Sequence, residues 1–422
     1  MRTAASALLL STALLVCAAA DEVRLVNGRV YSVAEWWVEG SELVMVTAEG
    51  LVRVPRAQVQ RIVVEGLGDG GAETADYGRP AGLNALEAPL QAVGRRRLAV
   101  PVGIQPLIES GNIAAALAAL EAAAVGEYAD SVDYRLLKGA LLLRAGLFGE
   151  AERALESALL AEPGDCGGLF LIGQAAYFQG RWQEALEHFR SSLEASGDQE
   201  TRNRVLRRVD ELERGLRGER GESDHFVIYA PSRMGGSGLI PALLELLERH
   251  LDEVAGALDY APQRLLVVVS DYATGAGGAM EGTYDGKITL ATGLLLSPRL
   301  EETAVHELAH AVLLPRTAGN CPLWLHEGLA QHLSGLRSAA YRGEIIDYLD
   351  DRLGALSLYP DSLTLVEYLL DRYPRHHLAA MLSLLEGGAF ADEAAERAYD
   401  ASLESLRAGR DRWLRERFDR RR

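Results

Sequence analysis

Residues Ala4 to Val16 form a nearly unbroken apolar run behind Arg2, followed by Cys17, Ala18, Ala19 and Ala20 and then Asp21. A charged start, a short apolar stretch and a small-residue end predict a secretory signal over residues 1–20, cut after Ala20. The expectation is an exported protein, periplasmic or extracellular. Lipidation at Cys17, which would instead give an outer-membrane lipoprotein, is disfavoured because Val16 stands where such signals carry a small residue. The run is too short to cross a bilayer, and nowhere later do about 20 apolar residues follow one another. No transmembrane segment is expected.

From Val23 to Val64 the rhythm changes to short β-rich runs: Val23–Val26, Arg29–Val33, Leu43–Thr47, Leu51–Val54 and Val59–Val64. Asn27-Gly28 and Glu49-Gly50 punctuate them, and such pairs favour tight hairpins. A small antiparallel barrel or curled sheet over residues 21–65 follows. Trp36 and Trp37 are adjacent, so in a strand one faces the core and the other covers an edge. Gly66, Gly68 and Gly71 spell G-x-G-x-x-G behind this module, but Gly78, Pro80 and Gly82 interrupt the helix that a dinucleotide-binding turn must open. Residues 66–97 read as a linker.

Between Val132 and Gly197 the chain repeats itself: Gly139 and Gly173, Gly146 and Gly180, and Ala151 and Ala185 are each 34 residues apart. Small residues at those places let two antiparallel helices approach closely, and Pro163 stops the first unit. The segments GALLLRAGLFGEAERALESALLAEP and GQAAYFQGRWQEALEHFRSSLEA resemble the tetratricopeptide repeat. A weaker unit, LIESGNIAAALAALEAA, precedes them, and Thr201 to Leu216 reads as a capping helix, so the repeats span residues 98–220. A concave surface for a protein partner is one expectation for such an array; a spacer packed on its neighbour is the other.

Charge removes one class of function. With 43 basic and 60 acidic residues the net charge is -17, which argues against a general nucleic-acid binder, since phosphate recognition needs a positive footprint. Three cysteines in 422 residues exclude a disulfide-dense scaffold and a cysteine-based zinc ribbon. After removal of the signal, Cys166 and Cys321 remain, as a disulfide or as two packed thiols.

The chemistry gathers after Ser297. Ser297 and Pro298 predict a helix start, Glu301 and Glu302 suit the positive end of its dipole, and Pro315 marks its stop. Within it lies His306-Glu307-Leu308-Ala309-His310. Residues four apart share a helix face, so both imidazoles can address one ion while Glu307, one step round, reaches a water beside it. Catalytic zinc takes three protein ligands and keeps one position open, so a third donor must follow. A second short helix from Pro322 to near Gly335 supplies two neighbouring donors, His326 and Glu327. They point about 100° apart on a helix, so only one of them can face the metal.

AVHELAHAVL with PLWLHEGLAQHL resembles the gluzincin metallopeptidases, specifically the peptidase MA-like domains of exported bacterial proteins, often found behind tetratricopeptide repeats. The likeness covers roughly residues 222–415. It implies that His306, His310 and Glu327 bind Zn2+ and that Glu307 is the general base. It also implies strands at Asp224–Ala230 and Leu265–Ser270, a helix over Leu239–Leu258, and an edge strand over Gly282–Thr292 that offers backbone groups to an extended peptide. LYPDSLTLVEYLLDRYP resembles the helix these domains place after the site, with Tyr359 at the position of an active-site tyrosine. Four residues after the glutamate, gluzincins of the thermolysin type carry aspartate; here Gln331 stands there, and its oxygen can accept from an imidazole N–H.

The expected architecture is α+β and multidomain: a signal over 1–20, a β module over 21–65, the linker, helical repeats over 98–220, and a zinc metallopeptidase domain with a helical lobe over 222–422. The expected substrate is a peptide or protein. A non-catalytic repeat scaffold, carrying a structural or vestigial metal site, is the alternative. His376 and His377 read as solvated loop residues, Cys321 as a packed or disulfide-bonded thiol, and the arginine-rich end from Arg407 as a charged helical tail.

Overall fold

A computed structural model describes residues 21–25, 29–39, 42–47, 50–55, 59–63, 100–101, 103–197, 199–270, 283–284 and 286–418. The expected signal over 1–20, the glycines of 66–71 and the whole expected linker of 66–97 lie outside the described residues. Among the described residues the chain is mostly helical with small sheets, an α+β composition, and it divides into two compact units. No described helix is long and apolar enough to cross a membrane.

The first unit contains strands β1 (Asp21–Leu25), β2 (Val30–Glu39), β3 (Glu42–Thr47), β4 (Gly50–Pro55) and β5 (Val59–Val63), in the sheet order β4-β3-β2-β1-β5. Every pairing is antiparallel. β2 is longer than its first apolar run implies. The register shifts between Val33 and Glu35, and this irregularity carries the strand past Ala34 and Glu35 so that Trp36 and Trp37 pair with Met45 and Val44. The placement of the two indole side chains lies outside the described part of the structure.

The second unit opens with helices α1 (Ile104–Glu109), α2 (Ile113–Ala122), α3 (Val132–Arg144), α4 (Phe148–Ala161), α5 (Cys166–Phe178), α6 (Trp182–Ala195) and α7 (Gln199–Gly215). The 34-residue spacing recurs in the packing. A Cβ on Gly139 would come within 2.6 Å of Leu155 Cδ2, and one on Gly173 within 2.7 Å of Phe189 Cε1, so each helix pair closes on glycine. Leu155 and Phe189 are themselves one period apart, and both are fully buried.

A mixed five-stranded sheet follows: β6 (Glu219–Glu222), β7 (Phe226–Ala230), β8 (Leu265–Ser270), β9 (Thr283–Tyr284) and β10 (Ile288–Ala291), in the order β6-β7-β8-β10-β9. β7, β8 and β10 run parallel, with β6 and β9 antiparallel at the two edges. The expected single edge strand over 282–292 is instead a hairpin turning before Ile288. β10 is bonded on both sides, so its backbone is not the one offered to a peptide.

Alternate residues of the parallel strands enter two different cores. Phe226, Ile228, Val267 and Val269 pack with α8 (Leu239–Leu258) through Leu243, Leu247 and Leu251, and with α9 (Leu300–Arg316) through Val305 and Leu308. Val227, Tyr229 and Leu266 pack with Phe170, Tyr177, Phe178 and Trp182 of the repeat helices. Trp182 lies flat on Tyr229 with 3.7 Å between ring centroids, and the Tyr229 hydroxyl donates to the Gly180 carbonyl at 2.9 Å. The sheet is therefore covered on both faces, the situation that makes strands uniformly apolar. The described residues from 100 to 270 and from 283 to 418 form one compact unit, with no division between 220 and 222.

The chain ends in a helical lobe: α10 (Leu323–Leu333), α11 (Arg342–Leu349), α12 (Leu358–Arg372), α13 (Arg375–Glu386), α14 (Ala391–Tyr399) and α15 (Leu403–Phe418). The arginine-rich end contributes to its core: Arg410 is only 3% exposed and pairs with Asp361 and Asp411.

Candidate metal centre

α9 supplies the first two donors. It starts at Leu300, later than Ser297 and Pro298 suggest, because Ser297 accepts from the Arg299 and Leu300 amides and forms a turn ahead of the helix. Pro315 sits inside the last turn, which runs to Arg316. From Ala304 onward, His306 apart, the helix is buried. Its C-terminal end is anchored by Arg316, whose Nε donates to the Leu258 carbonyl at 3.1 Å and whose guanidinium also reaches Glu386 and Ser383 at 2.7 and 2.8 Å.

The chain then reverses. Asn320 Nδ2 donates to the carbonyls of Leu385 and Ala389, both at 2.9 Å, and fixes the turn that brings α10 back across α9. Gly328 allows the next layer to close. A Cβ there would collide with the Ser362 carbonyl and lie 2.6 Å from Val366 Cγ2, so α12 packs directly behind Glu327. The glycine directly after His326 and Glu327 is the sequence signal for this close approach.

These constraints bring three donors together. His306 Nε2 and His310 Nε2 are 3.1 Å apart, and the Glu327 carboxylate reaches them at 3.6 and 3.7 Å through its two oxygens. One ligand atom from each residue lies within 4.8 Å of the others, the only such group of three or more among the described residues. Burial pushes the His306 imidazole down to about 4 and His310 well below its ordinary value. Both rings are thus neutral near pH 7, the form in which imidazole ligates a metal. Two neutral imidazoles with a carboxylate form a donor set that could hold a metal ion. Glu307 is beside them on α9, buried with 3% exposure.

The packing of α10 on α9 places His326 and Glu327 differently. Glu327 faces both imidazoles, while His326 lies with its ring flat against His310, centroids 4.3 Å apart and planes within 9°. Burial pushes His326 down to about 4 as well.

Gln331 does not orient a histidine ligand. Its Oε1 accepts from the Tyr341 hydroxyl at 2.9 Å, and its Nε2 donates to the carbonyls of Glu327 and Tyr359, both at 3.2 Å. It ties α10 to the 3-10 turn at Ser338–Tyr341 and to the first turn of α12. Tyr359 lies inside that first turn with 48% of its surface exposed.

Cys321 is a thiol rather than half of a disulfide with Cys166, and burial pushes its pKa far above the usual range. His376 and His377 open α13 instead of occupying a loop; His376 is exposed, and His377 Nδ1 lies 2.5 Å from the Ala398 carbonyl.

None of the protein-family profiles and none of the curated protein sequences compared with the chain matches it.

Proposed function

We propose that this chain is an exported zinc metallopeptidase of the gluzincin type, in which tetratricopeptide-like helices brace a C-terminal catalytic half. The observation that carries this reading is the convergence of His306, His310 and Glu327 within 4.8 Å, with buried Glu307 next to the first of them. A zinc ion held by these donors supplies a Lewis acid that polarises a carbonyl oxygen and lowers the pKa of water. Glu307 takes a proton from the water as its oxygen bonds to the peptide carbonyl carbon. It then gives that proton to the amine nitrogen as the C–N bond breaks.

Tyr359 is proposed as the donor to the oxyanion. Its helix start is held to α10 one turn beyond Glu327 by Gln331, and Arg410 pins the same turn through Asp361. Tyr359→Phe is expected to lower turnover about 100-fold with little change in zinc content or stability, the usual cost of one oxyanion donor. Single-turnover kinetics on a fluorogenic peptide would check this, and undiminished turnover would remove Tyr359 from the mechanism.

The scaffold alternative is separated from the enzyme by metal content and hydrolysis together. Purified full-length protein is expected to hold about one zinc per chain and to cleave an unfolded protein in a chelator-sensitive manner. Glu327→Ala should lose the metal. Stoichiometric zinc in that variant would show that the third ligand is misassigned; a parent that binds zinc yet is inert over a wide substrate panel would favour the scaffold.

A further inference from the structure

A metal-binding histidine usually has its ring plane fixed by a hydrogen bond from the nitrogen that does not ligate. His310 lacks that support: its Nδ1 is buried and meets no hydrogen-bond partner among the described residues. Gln331, at the sequence position from which such an acceptor would come, has its oxygen taken by Tyr341. Contact with His306 does not substitute, because the two rings meet edge to face at 89° with their Nε2 atoms towards each other, on the side where the metal would sit.

What does lie against the His310 ring is His326, nearly parallel and 4.3 Å away. Its own Nδ1 also has no partner among the described residues. Successive residues of α10 thus do different work: Glu327 presents its carboxylate to both imidazoles, and His326 presents a flat face to one of them. Resting on the metal assignment above, we infer that His326 is a positioning residue whose stacked ring, in place of a hydrogen bond, holds His310 in the orientation that zinc requires. The contact depends on ring shape rather than on a nitrogen atom, which makes it testable by substitution.

Metal-free full-length protein would be titrated with Zn2+ against a chromophoric chelator. His326→Ala is expected to weaken zinc binding by about 10- to 100-fold, the usual effect of losing a residue that orients a ligand. His326→Phe, which keeps a flat ring and has no nitrogen, should restore affinity to within about threefold of the parent. His326→Asn, polar but without an aromatic face, should resemble the alanine variant. A phenylalanine variant as weak as alanine would overturn the inference, since a nitrogen of His326 would then be acting as ligand or hydrogen-bonding group. Parent-like affinity in His326→Ala would overturn it too. Failure of the parent itself to bind zinc would be a different result, refuting the metal centre and with it any need to orient His310.

Discussion

Glu307→Gln is expected to keep the fold and about one zinc per chain while losing peptide hydrolysis by roughly 10²- to 10⁴-fold, the range typical of removing a general base. Glutamine has nearly the volume of glutamate, so the packing around this 3%-exposed side chain is preserved. A neutral amide is also cheaper to bury than a carboxylate, so no loss of thermal stability should accompany the change. What the amide cannot do is accept a proton from the attacking water. Metal analysis, a thermal melt and initial rates on a peptide substrate check the three parts separately. Retained activity would sink the proposed mechanism. Loss of zinc along with activity would mean that Glu307 helps to assemble the site, and would leave the base unidentified.

The parts of this site that could be read from the sequence are those set by local geometry. The four-residue spacing of His306 and His310 puts them on one face of any α-helix, whatever surrounds it. Choosing Glu327 over its neighbour His326 is not a local matter, because it depends on which side of α10 meets α9, and that is set by the turn that Asn320 anchors to the distant carbonyls of Leu385 and Ala389. Gln331 illustrates the same limit. Its position four residues beyond Glu327 suggests service to an imidazole, yet the returning 3-10 turn brings Tyr341 to its oxygen instead.

The bounds of α8 and β8 coincide with those that the resemblance implies, and a 20-residue amphipathic run and a short apolar run are each distinctive. The hairpin of β9 and β10 is not distinctive in this way. A two-residue strand is too short to leave a periodic signal. The covering of the sheet by the repeats did have a signature: β7 reads FVIYA and β8 reads LLVVVS, without the polar alternation of a sheet with one wet face. Nothing in the repeats themselves states which of their faces is covered.

That buried contact makes a strong prediction about dissection. A fragment beginning at Glu222 contains every proposed catalytic residue, yet it is expected not to fold. Removing the repeat helices uncovers Val227, Tyr229, Leu266 and Leu314, which share one core with Phe170, Tyr177, Phe178 and Trp182 and are at most 4% exposed. At about 1.5–3 kcal/mol for each large side chain, re-exposing four forfeits roughly 6–12 kcal/mol. That rivals the 5–15 kcal/mol by which a typical domain is stable at all. The fragment should therefore be insoluble, or soluble without a cooperative melt and without stoichiometric zinc, and co-expression with residues 98–221 should rescue it. A milder form of the test keeps the chain whole: Trp182→Ala removes the ring stacked on Tyr229 and should cost about 3–5 kcal/mol, read as a lower denaturation midpoint. A fragment from 222 that melts cooperatively and binds zinc as tightly as the full chain would show that the shared core is dispensable. The repeats would then be a separable array with their sheet-facing surface free for a partner.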